Sequence, residues 1–165
     1  MILKSLRLEN FRQFRGEQVV NFAAGGPTDQ NITVVLGENG RGKTGLYRAL
    51  MFCLYGESIL VQDEGTARDE LYLVNKAAVA DLDAGESVSA LVQVEFLHQG
   101  VPYEITRWIR AIRQAERQIE QLDRVELRTQ DANGNALLID NPREVLDAVD
   151  RVLDRRVREY FLFDG

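Results

Sequence analysis

Residues 3–9 read as strand-like, and residues 18–22 alternate apolar and polar positions in part, the pattern of a second short strand. Asn10-Phe11-Arg12-Gln13-Phe14-Arg15-Gly16 separates the two runs, which predicts a hairpin-like pair at the edge of a sheet. Residues 23–29 read as a loop by their Gly, Pro and Asp content. Ile32-Thr33-Val34-Val35-Leu36 is β-branched and does not alternate, which predicts a strand buried on both faces. Leu46, Ala49, Leu50, Cys53 and Leu54 recur at helical spacing, so 43–55 is a helix with Gly56 at its C-terminal cap. Residues 57–87 are acidic, with a helix predicted over 66–80 and a loop at Asp83-Ala84-Gly85. Val88, Ala90, Val92, Val94 and Phe96 share one face of a strand over 88–97, and 103–112 is its partner through His98-Gln99-Gly100. Strands at 125–130 and 136–139 flank Asn133-Gly134, a hairpin turn signal. Asn141-Pro142-Arg143-Glu144 starts a helix: a capping residue, proline first and Glu third. It continues to about Arg158 on Val145, Val149, Val152 and Leu153. Tyr160-Phe161-Leu162-Phe163-Asp164-Gly165 is again apolar and strand-like, and a terminus inside such a run predicts that the natural polypeptide continues.

Composition narrows the class without changing the layout. At 165 residues the chain has the length of one domain, 45% apolar and 28% charged, as in soluble globular proteins. No stretch approaches the roughly 20 apolar residues that span a bilayer, and the N-terminus offers no signal-peptide core. The reading is cytoplasmic, with no membrane partner. A single cysteine, Cys53, excludes an internal disulfide framework or a cysteine-cluster zinc site. Net charge is −6, but residues 1–48 carry seven Lys/Arg against four Asp/Glu, whereas 49–100 carry two against nine. A generally basic nucleic-acid-binding surface is therefore absent. Arg107, Arg110, Arg113, Arg117, Arg124 and Arg128 are interleaved with Glu104, Glu116, Glu120, Asp123 and Glu126, which predicts an ion-paired, solvated face. Lone His98 and Trp108 read as structural, and Cys53 as a small core residue.

The chemistry sits at Gly37-Glu38-Asn39-Gly40-Arg41-Gly42-Lys43-Thr44, a complete G-x-x-x-x-G-K-[ST] phosphate loop between a predicted strand and a predicted helix. Gly37, Gly40 and Gly42 permit the backbone angles that let successive N–H groups converge on phosphate oxygens. The helix N-terminus adds its positive dipole end at the same place. Lys43 supplies charge to the β- and γ-phosphates, and Thr44 a hydroxyl for Mg²⁺. A GTPase would carry N-K-x-D downstream, and Asn75-Lys76-Ala77-Ala78 lacks the Asp. A P-loop kinase for a small molecule would usually place a substrate lid after the first strand–helix unit, where this chain turns to antiparallel strands. The fold class is α/β: an α+β lobe of a P-loop NTPase, a mixed sheet around the phosphate-loop helix with an antiparallel β layer.

Leu8-Glu9-Asn10-Phe11-Arg12-Gln13-Phe14, the G-x-N-G-x-G-K-T loop and the helix end Leu54-Tyr55-Gly56-Glu57 together resemble the N-terminal ATPase lobe of SMC, RecF and SbcC proteins. The ending Phe161-Leu162-Phe163-Asp164-Gly165 is similar to DndD, the SMC-like ATPase of bacterial DNA phosphorothioation systems. The resemblance implies ATP and Mg²⁺ as cofactors, held by Lys43, Thr44 and the loop from Gly37 to Gly45. It implies that Arg12 approaches the phosphates from the side, and that Asp164, at the Q-loop position, touches Mg²⁺ or the attacking water. Gly45 stands where the family usually has Ser or Thr, which removes one hydroxyl contact to the α-phosphate and about 1 kcal/mol of binding. The late Asp-Glu strand, signature loop and coiled coil of the family are absent from 1–165. The resemblance therefore implies one lobe of an ATPase head, whose partners are its own C-terminal lobe, a second head in a nucleotide-dependent dimer, DNA, and DNA-modification or nuclease subunits. Residues 1–165 alone are expected to bind nucleotide and hydrolyse it poorly or not at all. A nucleotide-gated interaction module without turnover is the alternative.

Overall fold

The computed structural model describes residues 1–23, 25, 31–38, 41–58, 71–115 and 117–156. Its elements run β1 (Ile2–Phe11), β2 (Phe14–Asn21), α1 (Lys43–Tyr55), α2 (Lys76–Ala80), β3 (Ser87–His98), β4 (Val101–Gln114), β5 (Arg117–Gln130), β6 (Ala136–Ile139) and α3 (Pro142–Val152). The strands form one antiparallel sheet in the order β2-β1-β3-β4-β5-β6. Both helical segments between β2 and β3 are carried by the one connection in this sheet that is not a hairpin.

Alternation along β3 decides which face is covered. Ala90, Val92, Val94 and Phe96 are buried, and the register sets Val94 between Leu6 and Ile105 and Val92 between Leu8 and Arg107. α1 lies on this face: Met51, Phe52, Cys53 and Leu54 are all buried, and Cys53 Sγ donates to the carbonyl of Ile105 at 3.3 Å. α3 packs beside it, with Tyr55 Oη donating to the Leu153 carbonyl at 2.9 Å. The α/β class and the antiparallel layer are as expected.

The opposite face of the sheet is the ion-paired one. Arg110 meets Asp123, Arg128 bridges Glu104 and Glu126, and the Arg124 guanidinium stands 4.0 Å from the Trp108 ring. Two members of the arginine series depart from that expectation. Arg107 faces the core, and Arg113 donates to the Ala80 and Leu82 carbonyls instead of to a carboxylate.

Several element boundaries differ from the sequence reading. Residues 32–36 are not a buried strand: Ile32 is 78% exposed and Leu36 88%, with Val34 and Val35 also exposed. A strand needs a neighbour for its backbone groups, and the described residues supply none beside this run. The helix expected over 66–80 is confined, among the described residues, to Lys76–Ala80. Residues 72–75 are not helical: Val74 is bridged to Phe11, and Glu120 accepts from the N–H groups of Leu73 and Val74 at 3.0 and 2.7 Å. β5 begins at Arg117, well before residue 125, carried through its polar start by pairing with β4. α3 ends at Val152 because Leu153 leaves the helix at φ −146° and ψ 93°. The next turn is tied by Arg155 to Asp150 and by Arg156 to Asp154, and the Arg156 hydrogen bond holds the Asp154 carboxyl down at about 2. The apolar run at 160–165 lies outside the described residues.

Candidate nucleotide-binding site

The phosphate loop leads into α1 as its glycines predict. Gly42 is the N-cap residue, left-handed at φ 106°, and no side chain caps the first turn, which also carries no acidic residue. Among the described residues, no side-chain cap is given to the leading N–H groups of α1, the arrangement that favours an anion at a helix N-terminus. Lys43 curls back over the loop: its Nζ donates to the carbonyls of Gly37 at 2.6 Å and Glu38 at 2.9 Å. An ammonium has three donors, so a phosphate oxygen can be a third acceptor without displacing the loop. Arg41 pairs with Glu38 at 3.2 Å, both strongly exposed, and Thr44 is exposed on the first turn. These side chains fit a triphosphate with its counter-ion. Asn39, Gly40 and Asp164 lie outside the described residues.

The β1–β2 turn comes to the same helix end. Arg12 is left-handed at φ 49°, as is Asn10, and such backbone costs on the order of 1 kcal/mol at a non-glycine residue. Tertiary hydrogen bonds hold it there. Arg12 N donates to the Leu73 carbonyl at 2.7 Å, and Asn75 Nδ2 donates to the Arg12 carbonyl at 2.6 Å. Asn75 N donates to Asn10 O at 2.7 Å, while Asn75 Oδ1 accepts from Ala78 N at 3.0 Å as the cap of α2. Asn75, the first residue of the incomplete guanine motif, is thus buried and serves as a clamp between the turn and α2. With the turn so fixed, Gln13 and Phe14 pack on the start of α1, where a Cβ added to Gly42 would fall 2.7 Å from Gln13 Nε2 and 3.1 Å from Phe14 Cζ. Beside them opens a cleft of about 310 Å³ lined by Arg12, Gln13, Tyr72, Asn75 and Lys76, with the Lys76 ammonium 5.8 Å from the Tyr72 ring.

The far end of α1 depends on a residue that the sequence placed on the wrong face. Arg107 is 8% exposed, and its Nε donates to the Cys53 carbonyl at 2.7 Å. A cation under the last helical carbonyls complements the negative end of the dipole. Burial lowers the Arg107 pKa from its ordinary value, and burial pushes the Cys53 thiol up to about 12 despite the nearby guanidinium. The signal that could have singled out Arg107 is its place in β4, between Ile105 and Ile109 on the apolar face. Glu120 was likewise expected among the ion pairs and instead binds the backbone of residues 73 and 74.

The family model described as AAA domain matches residues 5–153. The DNA double-strand break repair Rad50 ATPase of Methanocaldococcus jannaschii is 26% identical over 135 residues, 75% of this chain and 12% of that protein. Its counterpart in Methanococcus maripaludis is 38% identical over 55 residues, 33% of this chain and 5% of that protein. The chromosome condensation protein dpy-27 of Caenorhabditis elegans is 36% identical over 52 residues, 32% of this chain and 3% of that one. A solved structure from work on ATP-driven dimerization and DNA-stimulated activation of SMC ATPases aligns with 100% of this chain and 93% of that one, at 16% identity and a TM-score of 0.46. Each curated match thus spans a small part of its relative. The chain belongs to the AAA domain family.

Proposed function

We propose that this chain is the N-terminal lobe of an SMC-like ATPase head and binds Mg-ATP at the start of α1. The observation that carries the reading is the complete phosphate loop, with Gly42 left-handed, the first turn uncapped by any side chain, and the Lys43 ammonium held above the loop carbonyls. In this reading the loop from Gly37 to Gly45, including Glu38, Asn39, Gly40 and Arg41, wraps the phosphates. Lys43 neutralises their charge, Thr44 and Asp164 hold Mg²⁺, and Arg12 closes the site from the β1–β2 turn. Bound Mg-ATP supplies the phosphoanhydride bond whose binding and hydrolysis drive the work, and the residues described here grip and orient it.

The exposed apolar run Ile32, Val34, Val35 and Leu36 supports a head completed by its own C-terminal lobe, which would pair with and cover this segment. Two completed heads would then close around nucleotide, coupling binding and hydrolysis to work on DNA. Within that class we favour the DndD-like assignment, DNA modification by phosphorothioation, on the Phe161-Leu162-Phe163-Asp164-Gly165 ending, with repair or defence against foreign DNA as its relatives.

Calorimetric titration of Mg-ATP and Mg-GTP, with Lys43→Ala as control, tests the site. Preferential ATP binding that Lys43→Ala abolishes is the expected result, and unchanged affinity in Lys43→Ala would overturn the assignment. Sustained phosphate release by the complete polypeptide separates an ATPase from a nucleotide-gated module.

A further inference from the structure

A side chain at position 45 would meet the end of Gln13. A Cβ built on Gly45 falls 2.0 Å from Nε2 of Gln13, 2.9 Å from Cδ and 3.0 Å from Oε1. The Gln13 carboxamide therefore fills the space that a side chain at position 45 would occupy, close to where a hydroxyl borne on that Cβ would stand. Gln13 is exposed, and it is the backbone of the β1–β2 turn that brings it to α1. Left-handed Arg12 turns the chain toward α1, and the hydrogen bonds from Arg12 to Leu73 and from Asn75 to Arg12 fix that turn. Gly42 and Gly45, one helical turn apart, both border the same amide nitrogen.

We propose that Gln13 is a further phosphate-binding residue. Its side-chain N–H donates to the nucleotide's phosphate chain at the first turn of α1, and Gly45 exists to admit it. The proposal rests on the Mg-ATP reading of the site and adds a donor to it. A carboxamide suits the place: Nε2 carries two N–H bonds and no charge, so it adds a donor beside Lys43 without repelling the ammonium. Position 45 and position 13 then form an exchangeable pair, in which either a hydroxyl on the helix or an amide from the turn can supply the contact, but not both.

The test is a swap in the complete natural polypeptide, read by Mg-ATP calorimetry and by the thermal midpoint without nucleotide. Gln13→Ala is expected to weaken Mg-ATP binding about tenfold, the scale of one hydrogen bond to a charged acceptor. Gly45→Ser displaces the end of the Gln13 side chain and puts a hydroxyl in its place, so it is expected to leave the midpoint unchanged and to bind Mg-ATP within about threefold of the parent. In the Gly45→Ser background, Gln13→Ala is then expected to cost no more than about twofold, against about tenfold in the parent. Gln13→Ala binding as tightly as the parent or tighter overturns the proposal, and so does a full tenfold loss on adding Gln13→Ala to Gly45→Ser. Lys43→Ala keeps the two readings apart. If it abolishes binding while the swap fails, Gln13 alone loses its role; if it leaves affinity intact, the nucleotide site falls and Gln13 with it.

Discussion

Replacing Asn75 by Ala measures how far the nucleotide side of the fold depends on one buried side chain. Asn75 is 6% exposed; its Oδ1 caps α2 through Ala78 N at 3.0 Å, and its Nδ2 holds the Arg12 carbonyl at 2.6 Å. Loss of the cap costs about 1 kcal/mol. Leaving the Arg12 carbonyl without its donor costs about 1–2 kcal/mol. Together these give a local destabilisation of about 2–3 kcal/mol, and the left-handed conformation of Arg12 gives the freed turn a reason to relax. Amide hydrogen exchange over residues 10–16 and 72–80 is the direct assay, because the Arg12 and Asn75 N–H groups are themselves hydrogen-bonded across these two segments. Exchange there is expected to accelerate about thirtyfold or more. Asn75→Ser keeps a capping oxygen but falls short of the Arg12 carbonyl, so it should lose about 1 kcal/mol less than Ala. Protection in Asn75→Ala within about twofold of the parent would refute the clamp, and Asn75→Ser no better than Ala would refute the division between its two bonds.

Arg107→Met keeps the buried stem but removes the donor to Cys53, and should destabilise the α1 region by about 2 kcal/mol in denaturant unfolding, against almost nothing for Arg110→Met on the solvated face. Cys53 offers a pH test. Its folded pKa is raised from 9.0 to about 12, so the stabilisation it contributes is complete below pH 9 and lost as pH rises toward 12. Relative to Cys53→Ala, the parent should lose about 1.4 kcal/mol between neutral pH and pH 10, and a pH-independent difference would contradict a buried, protonated thiol. Val34→Asp places a charge in the exposed apolar run; it should leave the six-strand sheet intact by circular dichroism while weakening association with the proposed, separately expressed C-terminal lobe at least tenfold.

The local elements were legible because their signals are local. Helical spacing together with Gly56 located α1 at Lys43–Tyr55, and Asn141-Pro142 located the start of α3. The alternation of Val88 to Phe96 identified the covered face of the sheet, and the phosphate loop declared its chemistry by residue type and spacing alone. Other features are set by neighbours distant along the chain. Whether Ile32–Leu36 pairs depends on a strand the described residues do not provide, so an apolar pattern that reads as core stands exposed. The non-helical backbone of residues 73 and 74 is held by Glu120, some 45 positions away, over a sequence that could equally have been helix. Arg107 looked like one more surface arginine until β4 turned it toward the carbonyls of α1. The closeness of Gln13 to Gly45 arises from a left-handed turn that only tertiary hydrogen bonds can hold. Sequence by itself determined α1, the start of α3, the covered face of β3 and the identity of the phosphate loop, because backbone preference and side-chain period act over a few residues. Tertiary structure alone decided which polar groups face inward, because burying a guanidinium, a carboxylate or a carboxamide is tolerated only where a distant backbone group meets it.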